Sequence, residues 1–292
     1  MRRLLLPLLL VLTCFAGCAG FAAWEVKRFD VASLARVTPV STALMRQRET
    51  EAHAAGQRWA PDARFVPYER ISPTLRRAVL IAEDDAFYSH DGLDWNEIRN
   101  AARKNLEKGR VIRGGSTITQ QLAKNLFLDG RRTVARKLEE AFLAVRLEKA
   151  LTKRRIFELY LNKIEWGDGI FGAESASWRY FGVSSADLTP RQAVLLAAVI
   201  INPRRYSVLS PDARIERRVR IIASRMMRRG FLTDAEYLVA VGEAAPETSH
   251  WWWPFGHAAP VETLPPSPPA ESLTPPAADS SPSAPESLPH QP

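Results

Sequence analysis

The chain has 292 residues, 46% of them hydrophobic and 25% charged, with a formal charge of +8 and two cysteines. Length and apolar content are ample for one sizeable core. Both cysteines, Cys14 and Cys18, lie near the N-terminus, so cysteine usage is silent on redox compartment, and no Cys/His constellation points to zinc. The charge is uneven. No Lys or Arg follows Arg229 and eight acids do, so residues 1–229 carry +16 and the remainder −8. A body that basic suits anionic lipid head groups or a phosphorylated substrate.

Met1-Arg2-Arg3 opens the chain, and Leu4 to Trp24 is a nearly uninterrupted apolar run. Its 21 residues suffice to span a bilayer, and Pro7 is tolerable in a membrane helix. Ala19 to Ala23 offers a small-residue cleavage site, and Phe15-Ala-Gly-Cys18 faintly resembles a lipoprotein box, with Phe15 a poor match. The run continues past Cys18, so the expectation is an uncleaved anchor over residues 1–24. Arg2 and Arg3 face Lys27, Arg28 and Arg36 across it, which leaves orientation undecided by charge. Residues 25–64 read as a polar, Ala-rich connector with helical character. Residues 65–245 then form the globular domain, mainly α, because helical periods recur without a run of alternating strands.

Ser72 and Pro73 form a helix start, and Leu75, Ala78, Val79 and Ala82 make its apolar stripe. Glu83 lies beyond the stripe with Val79, Leu80, Ala86 and Phe87 at three- and four-residue spacing. A carboxylate in such company is expected to be partly desolvated and raised in pKa, which suits proton transfer near neutral pH. The plainer reading is a surface acid at a helix end. Trp95 to Val111 sets Trp95, Ile98, Ala102 and Leu106 among Arg99, Arg103, Lys104 and Lys108; it fits a membrane-surface element and an ordinary solvated helix equally well.

In Arg113 to Leu128, RGGSTITQQLAKNLFL, the glycines permit a tight turn and Ser116 or Thr117 can cap the helix that follows. Gln121 and Lys124 share a face with Asn125 close by. A capped helix with a polar face explains all but the Gln-Gln pair. Arg136 to Ala150 carries two stripes. Leu138, Ala141, Phe142 and Val145 make one; Glu140, Leu143, Ala144 and Leu147 make the other. Glu139 falls between them near Arg146. Glu140 is therefore the acid expected to be buried, by function or by an ion pair with Arg136. After Ala245 come Trp251, Trp252 and Trp253, then 12 of the chain's 21 prolines. The tail over 246–292 cannot bury enough apolar surface to fold, and the Trp triplet suits either a membrane interface or the end of the domain.

Together these stretches resemble the peptidoglycan glycosyltransferases of family 51, which polymerise lipid II. Glu83, Asp84, Phe87, His90 and Gly92 match Glu-Asp-x-x-Phe-x-x-His-x-Gly without a gap. Gly114 to Gln121 match Gly-Gly-Ser-Thr-Ile-Thr-Gln-Gln, and Arg136, Lys137 and Glu140 match Arg-Lys-x-x-Glu. Lys153, Ile156, Glu158, Tyr160, Leu161 and Asn162 match a fourth block. Leu195 to Tyr206 is similar to a fifth, with Ile201 where a proline is expected. Five motifs in order over residues 65–230 are specific; any one alone is weak.

The resemblance implies a lysozyme-like lobe with a smaller membrane-hugging lobe. It implies a single inverting displacement in which Glu83 is the base and Glu140 helps at the leaving group, directly or through a metal ion. Lys124, Arg132, Arg136 and Lys137 are the candidate cations for the departing pyrophosphate, with Gln121 a neutral donor. Asp84, His90, Ser116, Thr117 and Asn125 complete the candidate substrate-binding set, with His90 read as a hydrogen-bonding brace. A divalent cation, Mg2+ or Mn2+, is compatible, although no protein cage for one is visible. The implied setting is the bacterial inner membrane, one pass, with the domain outside. The implied partners are lipid II, the growing glycan strand and transpeptidases or division and elongation proteins, and no nucleic acid. No Lys has a Ser three residues before it and no Lys-Thr-Gly occurs, so cross-linking is left to a partner. Two other readings are a glycan-cleaving lytic transglycosylase or lysozyme, and a non-enzymatic basic scaffold. The first does not need the Gly-Gly-Ser-Thr block or the cations; the second leaves the carboxylate motifs unexplained.

Overall fold

The computed structural model of the chain describes residues 17, 20, 28–108, 115–131 and 133–243. The expected anchor apart from residues 17 and 20, the Trp triplet, the Pro-rich tail, Arg113, Gly114 and Arg132 lie outside them. Among the described residues no helix is long and apolar enough to cross a membrane. The chain divides into two units, Met1–Glu247 and Thr248–Pro292, and every described residue belongs to the first.

The expectation of a mainly α fold holds. Ten α-helices are found among the described residues: α1 (Ala43–Ala54), α2 (Pro73–Glu83), α3 (Trp95–Lys108), α4 (Ile118–Phe127), α5 (Val134–Ala150), α6 (Lys153–Lys163), α7 (Ala173–Phe181), α8 (Pro190–Val199), α9 (Ala213–Arg228) and α10 (Asp234–Val241). Local chemistry sets most of the starts. Thr42, Thr117, Thr133, Thr152, Thr189, Asp212 and Thr233 each accept a hydrogen bond from the backbone N–H three residues on, satisfying a donor the helix leaves free. Ser72 occupies the cap position of α2, but its side chain makes no capping bond; Pro73 carries that start instead.

Three short strands, which the helical reading did not foresee, form one small sheet: β1 (Asp62–Ala63), β2 (Glu165–Gly167) and β3 (Ile170–Phe171) in the order β1-β3-β2. β1 runs parallel to β3 with Asp62 opposite Ile170, and β2 runs antiparallel with Glu165 opposite Phe171. Gly172 follows at φ +88°, and a Cβ there would lie 2.9 Å from the Asn162 carbonyl, so only glycine fits. Asn162 in turn clamps residue 66, accepting from the Val66 N–H and donating to the Val66 carbonyl, both at 3.0 Å.

The helices pack in two groups that share one core. α2 lies against α8 and α9, with α10 closing over both; α4 lies against α1, α5 and α6. Leu75, Ala78 and Val79 of α2 are fully buried, as are Ile118, Leu122 and Ala123 of α4. On α5 the stripe of Leu143, Ala144 and Leu147 is the buried one, while Leu138 of the other stripe is 64% exposed.

The N-terminal part of the body is tied on by charge. Arg48 on α1 donates to both oxygens of buried Glu165 at 2.8–3.1 Å. Burial pushes the Glu165 carboxyl up in pKa, and Arg48 opposes that. Removing one partner of such a pair strands the other, so Arg48→Ala is expected to cost about 3 kcal/mol of stability in urea unfolding. Arg48→Lys should recover only part, for want of the planar fork. A loss below about 1 kcal/mol would class the pair with exposed ones.

Candidate active site

Glu83 is the last residue of α2, at the seam between the two helix groups, and its side chain is 13% exposed. Arg218, projecting from α9, donates to Glu83 Oε1 at 2.7 Å and to the Ala82 carbonyl at 3.2 Å. Gln121, from α4, donates to Glu83 Oε2 at 3.2 Å. The orientation of that amide is set from behind. The Tyr160 hydroxyl on α6 donates to Gln121 Oε1 at 3.0 Å, which turns the NH2 group toward the carboxylate. Tyr160 is fully buried, and burial with the nearby charges of Glu83 and Asp84 drives its pKa far up, so it remains a donor.

Burial raises the Glu83 carboxyl above its ordinary value. The charge of Arg218, the bonds from Gln121 and Arg218, and the charge of Lys124 pull the other way. This is a group able to accept a proton yet held ionisable by one arginine. Arg218→Gln should therefore raise the Glu83 pKa further. The active form of a base is the deprotonated one, so the acid limb of the kcat/KM profile should move to higher pH, and Arg218→Lys should move it less. An unmoved limb in the folded variant would show that Arg218 does not set this ionisation.

Lys124 follows Gln121 by one helical turn and keeps solvent access. It lies within electrostatic reach of both Glu83 and Glu140. Crowding by protein lowers its pKa, Arg136 and Lys137 adding to that effect and the two glutamates opposing it. Glu140 is 3% exposed on α5, as its stripe implied. Arg136 donates to its Oε2 at 2.8 Å and Lys137 to its Oε1; Lys137 also donates to Ser116 Oγ at 2.9 Å. The ion pair with Arg136 is thus present, inside a larger cationic cluster. Asn125 is buried on α4, 8% exposed. The Nε atoms of Arg136 and Arg218 are buried without a hydrogen-bond partner.

Asp84, His90 and Thr117 turn inward as a brace. Asp84 accepts from the Ile118 N–H at 2.9 Å and faces His90 Nε2 at 3.1 Å through both oxygens. His90 Nδ1 accepts from the Gly92 N–H at 3.2 Å, so the neutral ring carries its proton on Nε2 and donates to Asp84. The Thr117 hydroxyl donates to the Gly92 carbonyl at 2.7 Å. Gly92 sits at φ +89°, where a Cβ would meet Glu148 Cγ at 3.0 Å and the Ala144 carbonyl at 3.1 Å. Behind this, Glu148 accepts from Thr119 at 2.6 Å and from Lys153 at 2.7 Å, and Lys153 also donates to the His90 carbonyl. The first two motifs are thereby locked together, with Glu83 at their edge. A cavity of about 290 Å3 opens beside the brace, lined by Ser89, His90, Asp91, Asp94 and Trp95.

Of the residues expected from sequence, Glu83, Gln121, Lys124, Glu140, Arg136, Lys137 and Ser116 are brought together. Glu139 instead reaches across the chain to Arg28 at 2.5 Å. Sequence reasoning missed Arg218 and gave Tyr160 no role. Arg218 is one of six arginines in α9, beyond the last matched block, and nothing in the local pattern separates it from the others.

The residues do not fit a protein-held divalent cation. Both Glu140 oxygens already accept from cationic side chains, and among the described residues no group of three or more His, Cys, Asp or Glu converges.

The Transglycosylase family matches residues 50–227, a stretch holding Glu83, Gln121, Lys124, Glu140 and Arg218. The chain is 50% identical over 192 residues to the biosynthetic peptidoglycan transglycosylase of Laribacter hongkongensis, covering 64% of this chain and 82% of that one. It is 52% identical over 163 residues to the protein of that name from Chromobacterium violaceum, covering 56% and 72%. It is 47% identical over 188 residues to the one from Nitrosospira multiformis, covering 64% and 82%.

Proposed function

The chain belongs to the transglycosylase family and is a peptidoglycan glycosyltransferase, and from that premise we propose that it polymerises lipid II into β-1,4 glycan, releasing undecaprenyl pyrophosphate. The observation that carries this reading is the pairing of two unlike carboxylates around Lys124. Glu83 is raised in pKa and partnered by one arginine and one amide. Glu140 is buried among cations.

The acceptor sugar's 4-hydroxyl attacks the anomeric carbon of the lipid-linked donor, and Glu83 takes its proton. The bond from that carbon to the pyrophosphate oxygen breaks, and the electron pair leaves with the pyrophosphate. One displacement turns the α-linked donor into a β linkage, as in the two-carboxylate logic of inverting glycosidases with a sugar in place of water. Lys124, Arg136 and Lys137, with Arg132 from outside the described residues, stabilise the charge that grows on the leaving group. Glu140 holds Arg136 and Lys137 in position.

The reading places the domain at the outer face of the inner membrane on a single N-terminal anchor, passing its strands to a separate transpeptidase. On α3, Trp95 is 63% and Leu106 86% exposed beside Arg99, Arg103, Lys104 and Lys108, which supports contact with a membrane surface. The deciding experiment is incubation of the detergent-solubilised full chain with lipid II and, separately, with preformed glycan. Lysozyme-sensitive polymer and equimolar undecaprenyl pyrophosphate are expected. Cleavage of preformed glycan without polymer would instead assign the lytic reaction.

A further inference from the structure

Helix α9 carries a second group of arginines that the catalytic site does not use. Arg214, Arg217, Arg225 and Arg228 recur with Ile221 at three- and four-residue steps, which puts them on one stripe about 21 Å long. All five residues are exposed, Ile221 by 45%. Among the described residues none of the four arginines has an acidic partner, and Arg214 lies only over the Tyr206 ring, 5.7 Å from its centroid. The acids nearby are taken. Glu216 pairs with Arg191, Asp85 with Arg229 and Glu83 with Arg218, while Asp212 accepts from the Ile215 N–H. Like charges at helical spacing repel, so the arrangement is unfavourable for the helix alone.

Its position suggests what it meets. Arg218 and Arg225 are seven residues apart on the same line of the helix, and Arg229 continues it. Arg218 reaches Glu83 and Arg229 reaches Asp85, so this side of α9 runs along the end of α2 that holds the catalytic carboxylate. The stripe is therefore continuous with the site.

We infer that the stripe docks the carboxylates of the short peptides borne by the glycan strand under construction, an inference that rests on the proposed polymerase reading. Away from the end that keeps its lipid pyrophosphate, the strand's sugars are neutral and its fixed charges are those of its peptides. The arginine fork matches a carboxylate bidentately, and Ile221 offers the small apolar contact that alanine methyl groups fit. A lipid surface is the weaker match, because the stripe offers Ile221 alone, 45% exposed, whereas α3 sets Trp95 and Leu106, 63% and 86% exposed, beside its basic residues.

The test uses the full chain in detergent and a soluble, lipid-free tetrasaccharide carrying free-carboxylate peptides, with its fully amidated counterpart. The wild type should bind the acidic form about tenfold more tightly, with a preference that shrinks as salt rises. Arg217→Gln/Arg225→Gln/Arg228→Gln should bring the ratio near one. Arg220→Gln, exposed on another side of the helix, should leave it unchanged. If the triple variant fails to fold by thermal melt, single Arg225→Gln should still narrow the ratio. Equal affinity of the wild type for both forms overturns the proposal. So does an unaltered ratio in the folded triple variant, or a defect seen only as lost binding to phosphatidylglycerol vesicles. Lipid II polymerisation by the wild type is scored separately, so failure of the polymerase reading and failure of the stripe are distinct results.

Discussion

Glu83→Gln lowers the maximal rate of polymerisation by about 10²–10⁴-fold while substrate binding largely persists, the range expected when a positioned base is removed. The replacement keeps the shape of the side chain. Its amide oxygen can still accept from Arg218 or from Gln121, so the seam between α2, α4 and α9 should hold. What is lost is the capacity to take a proton from the acceptor hydroxyl. Burial makes this carboxylate more basic than an exposed one, and the charge of Arg218 opposes that rise. Initial rates on labelled lipid II, with binding measured on the same preparation, separate the two quantities. A variant that turns over near the wild-type rate would remove Glu83 from the chemistry and return it to the status of a buried ion-pair partner.

Lys124→Ala should lower the maximal rate about 10²-fold and weaken substrate affinity as well. Lys124 stands on the α4 turn after Gln121, within reach of both glutamates, and has the solvent access a substrate anion needs. If its charge meets the pyrophosphate only in the bound state, the loss falls on affinity. If it meets the charge that grows on departure, the rate falls too. There is a confounding term of known sign. Lys124 also lowers the Glu83 pKa, so its removal raises that pKa and depresses the rate at acid pH. Rates are therefore compared on the alkaline plateau, where Glu83 is ionised in both proteins. Stability should change by under about 0.5 kcal/mol, as for an accessible helix residue, and Lys124→Arg should rescue poorly because a planar fork does not replace a point charge. An unchanged plateau rate in the folded variant would confine Lys124 to binding and pass the leaving-group role to Arg132, Arg136 and Lys137.

Helical periodicity alone marked Glu140 as the buried acid of its pair, because a repeat of three and four residues states which face looks inward. The same local rules offered Ser116 or Thr117 as a cap, of which the structure uses Thr117, and read Gln121 and Lys124 as neighbours on one face. The five ordered motifs carried the family, and with it the expectation for Glu83. Gln120 and Gln121 are indistinguishable by residue type, yet one closes a capping box with Thr117 and the other donates to Glu83. That division depends on where Tyr160 and Glu83 arrive from other helices. Asp84 and His90 were legible as a motif, but not as an inward brace on Ile118 and Gly92. Arg218 was not legible at all. It pairs with Glu83 across 135 positions, and in the sequence it is one arginine among six in α9. Propensity, capping and periodicity act within a turn or two of helix, so they determine elements and their buried faces. The charge that faces Glu83 is set by which helix ends meet, and only packing of the whole chain decides that.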